Sequence, residues 1–367
     1  MIDYDVLKVI WWALIGALLI GFALTDGFDM GAGMLLPFIA RTDIERRIVV
    51  NSVGATWEGN QVWLVTAGAA IFAAWPMVYA TAFSGFYIAL LLVLFSLFFR
   101  PVGFDYRSKV LDQRWRSTWD WALFVGSAVP ALVFGVAFGN LLEGVPFQFD
   151  ADMRLAYGGS FWALLNPFAL LCGLVSVAML VMHGAAFLRL KASEVIAARA
   201  AYVNVGAGIA TFALFVLAGA LIATVVPGYQ LLGDGSVTTA KGLWVSNYGF
   251  DVWFALAPAL GLAGALASTV CAHRNHPVGA FVASSASVAG VILTAGVSMF
   301  PFVVPSSTAP LQSLTMWNAT SSRLTLQIML VAVAVCLPIV LLYTAWAYRV
   351  MFGRVTAESV EQDHASY

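Results

Sequence analysis

Nine apolar runs, each long enough to cross a bilayer, decide what this chain can fold into. They lie at about residues 8–38, 48–73, 79–100, 118–140, 161–188, 203–226, 250–271, 279–301 and 327–351, and roughly 20 apolar residues suffice for one helical crossing. Inside hydrocarbon every backbone N–H and C=O must bond within the protein, so such runs are helices. With 61% hydrophobic and only 10% charged residues, water is not the solvent for most of the surface. The expected fold is therefore an all-α polytopic membrane protein with about nine transmembrane helices. The stretch MIDYDVLKVIWW places acidic residues ahead of a long apolar run without a small-residue cleavage pattern, and reads as a retained first helix, not a signal peptide. Cys172, Cys271 and Cys336 lie in or beside separate runs with no CxxC or CxxCH spacing. A disulfide framework, a structural zinc site and c-type haem attachment are all unsupported.

A net charge of −1 hides a segregation of basic residues. Arg and Lys gather at 41–47, 100–116 and 189–199, at Arg274, and at Arg349 and Arg354, after the first, third, fifth, seventh and ninth runs. The alternate connections hold only Arg154, Lys241 and Arg323. Basic connections face the cytoplasm, so the N-terminus is expected outside and the C-terminus in the cytoplasm. Trp11, Trp12, Trp75, Trp162, Trp244, Trp253, Trp317 and Trp346 fall near the ends of runs, where interfacial aromatics sit.

The first three runs carry groups that hydrocarbon makes costly: Asp26, Asp29, Glu58, Asn60 and Gln61. Each needs a partner, a proton or water. An unbroken first helix puts Asp29 12 residues before Arg41, roughly 18 Å from the cytoplasmic charges. Glu58 lies 11 residues beyond Arg47 on the returning helix, so the two carboxyls are expected at similar depth on antiparallel neighbours. Unpaired carboxyls at such depth are candidates for proton exchange. Arg100 ends the third run, and Asp105 and Lys109 follow a Pro-Gly break, which suggests a polar entrance toward Glu58. Trp57 and Trp63 flank the amides of Asn60 and Gln61. The structural alternatives are plain: Gly27 and Gly31 form a GxxxG packing pair, Asp26 joins helices, and Arg100 anchors topology. His183, alone among the four histidines in lying within a run, reads as an interfacial polar residue near Arg189 and not as a haem ligand; Met179, Met182 and Met299 read as core.

At GFDMGAGMLLP, WEGNQVWL, AAWPMVYATAFSGFYIALLLVLFSLFFRPVGFDYRSK, FPFVVPSS and SLTMWNATSS, the sequence resembles subunit II of the cytochrome bd quinol oxidases, over essentially the whole chain. The resemblance implies a heterodimer with a haem-bearing subunit I in the bacterial cytoplasmic membrane, often joined by small single-helix accessory peptides. Such a complex oxidises quinol and reduces O2 to water without pumping protons. Two b-type haems and one d-type haem belong to subunit I, and this chain is expected to bind no cofactor of that kind. A resident quinone or lipid in an apolar cleft is an expectation without assigned residues.

Carried over residue by residue, the resemblance places Lys109, Asp105 and Glu58 on a proton route from the cytoplasm toward the haems. Arg100 tunes that route, and Trp63 marks an O2 path; Asp29 is counted with the proton route on its depth in the first run, not on the resemblance. Many relatives have aspartate where this chain has Glu58, one methylene longer. Residues 1–150 are expected to form a four-helix bundle that carries the polar residues and packs on subunit I, residues 151–326 a second four-helix bundle, and residues 327–367 a peripheral ninth helix and tail. Two rivals remain at this point: a proton-coupled secondary transporter working alone, and a structural scaffold whose polar groups only join helices.

Overall fold

The computed structural model describes residues 2–250 and 252–362. Fourteen helices account for most of this: α1 (Tyr4–Ile39), α2 (Asp43–Gly54), α3 (Trp57–Ala74), α4 (Pro76–Gly85), α5 (Tyr87–Leu97), α6 (Phe99–Tyr106), α7 (Gln113–Glu143), α8 (Pro167–Lys191), α9 (Glu194–Thr224), α10 (Leu243–Phe250), α11 (Leu256–His273), α12 (Pro277–Met299), α13 (Arg323–Val350) and α14 (Ala357–Gln362). Side-chain caps set several starts, with Asp3, Asp112, Asn166 and Ser322 each accepting from a backbone N–H in the first turn.

Eight helical stretches are individually long and apolar enough to cross a membrane. The second run, expected as one helix, is instead broken into α2 and α3 at Ala55 and Thr56. Ser52 and Thr56 turn their hydroxyls back onto the carbonyls of Ile48 and Val53, competition that weakens a helix locally. This broken segment still makes a full crossing. Near its start Arg199 bonds both the Ile39 carbonyl and Glu45, whereas at its far end Ser321 donates to Ala73 and Ala74, and Tyr4 to Ser321. Counted beside the eight, this segment makes nine stretches of the described residues that run from one end of the bundle to the other, and the start of α1 and the end of α13 lie at opposite ends.

The third run is also broken, into α4, α5 and α6. Pro101 lacks the N–H that would bond Leu97, which interrupts the helix at Phe98. The basic connections share one end of the molecule. There Glu45 closes a capping box with Thr42 and pairs with Arg199 at 2.7 Å; burial pushes its carboxyl up, but Arg199 and the Arg41 and Thr42 N–H groups hold it below its ordinary value. The opposite end carries three two-stranded antiparallel hairpins that the sequence did not announce: β1 (Phe147–Phe149) with β2 (Leu155–Tyr157), β3 (Pro227–Leu231) with β4 (Val237–Lys241), and β5 (Phe302–Val304) with β6 (Leu314–Thr315). Gln312 bonds both the N–H and C=O of Phe149, and Ser306 donates to Phe147, tying these connections into a cap.

Small residues set the helix spacing. Gly31 of α1 meets Gly184 of α8 so closely that a Cβ on Gly184 would stand 2.5 Å from the Gly31 Cα, and Gly27 faces Leu180, so the GxxxG pair packs helices as its spacing suggested. Helix α13 is peripheral, with Leu326 its only buried residue among those described. Of the tryptophans expected at the interface, Trp162, Trp253 and Trp346 are exposed, but Trp11, Trp75 and Trp244 are buried. The reason is local: the Trp11 and Trp244 indoles donate to the carbonyls of Leu326 and Leu142 and tie the chain internally.

Candidate functional site: a buried polar chain and an exposed acidic face

The polar residues of the first three crossings separate into two groups. The inner one begins on α1, whose Asp26 and Asp29 are both buried. Arg100 of α6, 1% exposed, grips Asp26 with two nitrogens at 2.8 and 2.5 Å, a bidentate pair that neutralises both charges. Asp29 has no cation of its own: Asn60 of α3 donates to its Oδ2 at 2.8 Å, and Oδ1 has no partner among the described residues. Asn60 in turn accepts from the Tyr348 hydroxyl of α13 at 2.6 Å. Three crossings and the peripheral helix thus converge on two carboxyls.

The outer group is built on the contact between Trp57, the first residue of α3, and Phe104 of α6, whose rings lie 5.2 Å apart. That contact sets the start of α3 beside α6. The next residues, Glu58 and Asp105, are both exposed, and among the described residues no hydrogen bond or ion pair engages their side chains. Lys109, also exposed, lies with its Nζ 5.9 Å from the Tyr106 ring centroid. Since Asn60 touches Asp29, Glu58 stands at nearly the same depth as Asp29, as the helix arithmetic required.

Arg100 does not join this outer group. It was expected to form an entrance with Asp105 and Lys109, yet the kink before Pro101 turns it inward to Asp26, with its Cζ 5.8 Å from the Trp57 ring. Gln61 is half-buried on α3, and Trp63 is half-buried with its ring against Gly21 of α1.

His183 is not interfacial. It is fully buried, its Nδ1 bonds Ser284 at 2.9 Å and its Nε2 the Leu24 carbonyl at 2.9 Å, and it stacks on Phe281. Both ring nitrogens are thereby engaged, so this histidine does not suit iron ligation. His364 lies outside the described residues. Among the described residues no three His, Cys, Asp or Glu side chains gather as a metal site.

Two features escaped the sequence reading. One is an ion network at the basic end: Arg107, 1% exposed, holds Asp120 at 2.5 Å and Asp43 at 3.0 Å, while Arg46 and Arg116 bond the same two acids. The arginines sit among other basic residues between or at the ends of apolar runs, where each reads as a topology signal, and Asp120 sits at the start of the fourth run. The other is an apolar cavity of about 540 Å³ toward the hairpin end, walled by residues such as Phe22, Met30, Phe134, Phe168 and Phe215, with the Tyr248–Ser298 hydroxyl pair at its lining.

Comparison with known proteins agrees with this architecture. The family model "Cytochrome bd terminal oxidase subunit II" matches residues 7–351. The chain is 52% identical to cytochrome bd-I ubiquinol oxidase subunit 2 of Escherichia coli (strain K12), with both chains fully covered. It is 32% identical to cytochrome bd ubiquinol oxidase subunit 2 of Bacillus subtilis (strain 168), over 95% of this chain and 96% of that one. Its fold is similar to a chain in the structure of bd oxidase from Geobacillus thermodenitrificans, with a TM-score of 0.67 at 15% identity, covering 94% and 98% of the two chains. A family model over residues 7–351 and 52% identity along the full length leave the transporter reading without support: the chain belongs to the cytochrome bd terminal oxidase subunit II family.

Proposed function

We propose that this chain delivers protons from the basic, cytoplasmic end of the bundle to its partner through Lys109, Asp105 and Glu58. As subunit II of a cytochrome bd-type quinol oxidase, it is part of a bacterial membrane oxidoreductase complex whose haems lie in subunit I. That partner takes electrons from a quinol, ubiquinol by the relatives' names, and reduces O2 to water. Each O2 then consumes four protons, and drawing them from the cytoplasm separates charge without a pump.

The observation that carries the reading is the exposure of Glu58 and Asp105 at membrane depth with no partner among the described residues. Lipid tails do not accept ionisable groups at that level, so this face is covered by polar groups or water belonging to another chain. The N-terminal bundle, residues 1–150, accordingly packs on subunit I through the face that α3 and α6 share. Behind it the Asp26–Arg100 pair fixes the local field, and Asp29 stands ready on the inner side. Trp63, between α3 and α1, marks an apolar way in for O2. The cavity lined by Phe22 and Phe215 suits the tail of a quinone or a lipid. A single-helix accessory peptide seats against the remaining apolar surface.

Glu58→Gln in the intact complex tests the route. The amide keeps the shape and loses the exchangeable proton. The haem spectrum is expected to persist while quinol oxidase turnover and membrane-potential generation fall about 10²-fold, within the usual range for losing one proton-transfer group. Unchanged turnover across pH in a fully haem-loaded complex refutes the route.

A further inference from the structure

We infer that Tyr348, on the peripheral helix α13, is a positioning residue for Asp29: its hydroxyl fixes the orientation of the Asn60 amide and thereby which carboxyl oxygen of Asp29 bears the proton. The inference deepens the proton-delivery reading and rests on it only for its effect on turnover. The donors run in one direction. The Tyr348 hydroxyl donates to Asn60 Oδ1 at 2.6 Å, and the amide nitrogen faces Asp29, where it donates to Oδ2 at 2.8 Å. An oxygen that accepts from N–H cannot present its own proton along that line. The exchangeable proton of Asp29 therefore belongs to Oδ1, the oxygen without a partner among the described residues. Asp26 offers no alternative, because both of its oxygens are held by Arg100.

Without the Tyr348 hydroxyl, only the bond to Asp29 holds the Asn60 amide in this sense among the described residues. Oδ1 would be left buried without a donor, which disfavours the observed orientation. Turning the amide over gives Oδ1 a donor, a protonated Asp29 Oδ2, and leaves the amide N–H groups toward the phenyl ring. The proton moves to the other oxygen, on the side closed off by Asn60. A helix whose one fully buried side chain is Leu326, near the opposite end, thus sets the hydrogen bonding of a carboxyl on α1.

The test is Tyr348→Phe in the complex with subunit I, with Asn60→Leu as a second way of deleting the same donor to Asp29. Infrared difference spectra read the carboxyl directly, with the Asp29 carbonyl band identified by its loss in Asp29→Asn. In both variants the band is expected at higher wavenumber, because the carbonyl no longer accepts from Asn60. Haem content and KM for quinol are expected unchanged, and kcat about fivefold lower, the equivalent of one neutral hydrogen bond. A band that stays in place in Tyr348→Phe overturns the inference, as does loss of haem in that variant with the band unmoved. A band that moves while turnover does not keeps the positioning role and removes Asp29 from the proton route instead.

Discussion

The Asp26–Arg100 pair is where residue chemistry in this chain is most demanding. Both side chains are at most 1% exposed and bonded twice to each other. In such a pair the Coulomb attraction offsets desolvation only while both members are present. Asp26→Asn is expected to leave a buried guanidinium uncompensated and cost about 3–5 kcal/mol, whereas replacing both with apolar residues of similar volume costs far less. Thermal unfolding of the purified complex, followed through haem release, distinguishes the two outcomes; equal losses in single and double variants contradict this account. The cost of Asp26, Asp29, Glu58 and Asn60 in hydrocarbon was legible in the sequence, and so was the level at which they meet. Their partners were not. Tyr348 lies 288 positions from Asn60, and Arg100 turns inward only because the helix breaks before Pro101. Arg107 and Asp120 are 13 positions apart, but among so many charges between the third and fourth runs nothing in the sequence tells which ones are buried.

At the scale of elements, the apolar runs were legible because length and hydropathy are properties of one segment. The breaks were not, since they follow from hydroxyl back-bonding at Ser52 and Thr56 and from a proline one turn beyond Phe98. The hairpins likewise depend on contacts between connections distant in sequence. Packing between elements falls between these cases: GFDMG announced a close approach, but its partner, Gly184, had to be seen. That approach sets the separation of α1 and α8 and so joins the two halves of the chain. Gly31→Ala pushes a methyl group into the backbone of α8 and is expected to destabilise the complex by about 1–3 kcal/mol, the usual cost of overpacking. Gly206→Ala, at a glycine whose added Cβ meets nothing within 4 Å, is the matched control and is expected to be neutral or slightly stabilising, because it removes a helix glycine. Comparable melting temperatures for the two variants contradict the role assigned to Gly31.

Across the whole molecule the two ends are built differently, and α13 depends on both. The hairpin end is a cap of interlocked connections that holds the start of α13 through the Trp11 bond to Leu326 and through Ser321. The basic end has no sheet among the described residues. There the chain after α13 runs back across the bundle: Val355 donates to the Lys191 carbonyl at 2.6 Å, Lys191 Nζ donates to Met351 at 2.5 Å, and Val360, 2% exposed, packs with the apolar cluster under α2. A 28-residue helix with one buried side chain gains little from packing of its own within this chain, so its inner end is held by this strap and by Tyr348. Removing residues 353–367 is therefore expected to speed hydrogen exchange in the last two turns of α13, with the turns near Leu326 unaffected. Exchange measured by mass spectrometry on the intact complex in detergent or nanodiscs checks this. If the inner turns stay as protected as in the full chain, the strap is dispensable and contacts within the bundle, Tyr348 among them, supply the hold. If protection falls evenly along the helix, the two ends are not anchored independently and the division between cap and strap is wrong.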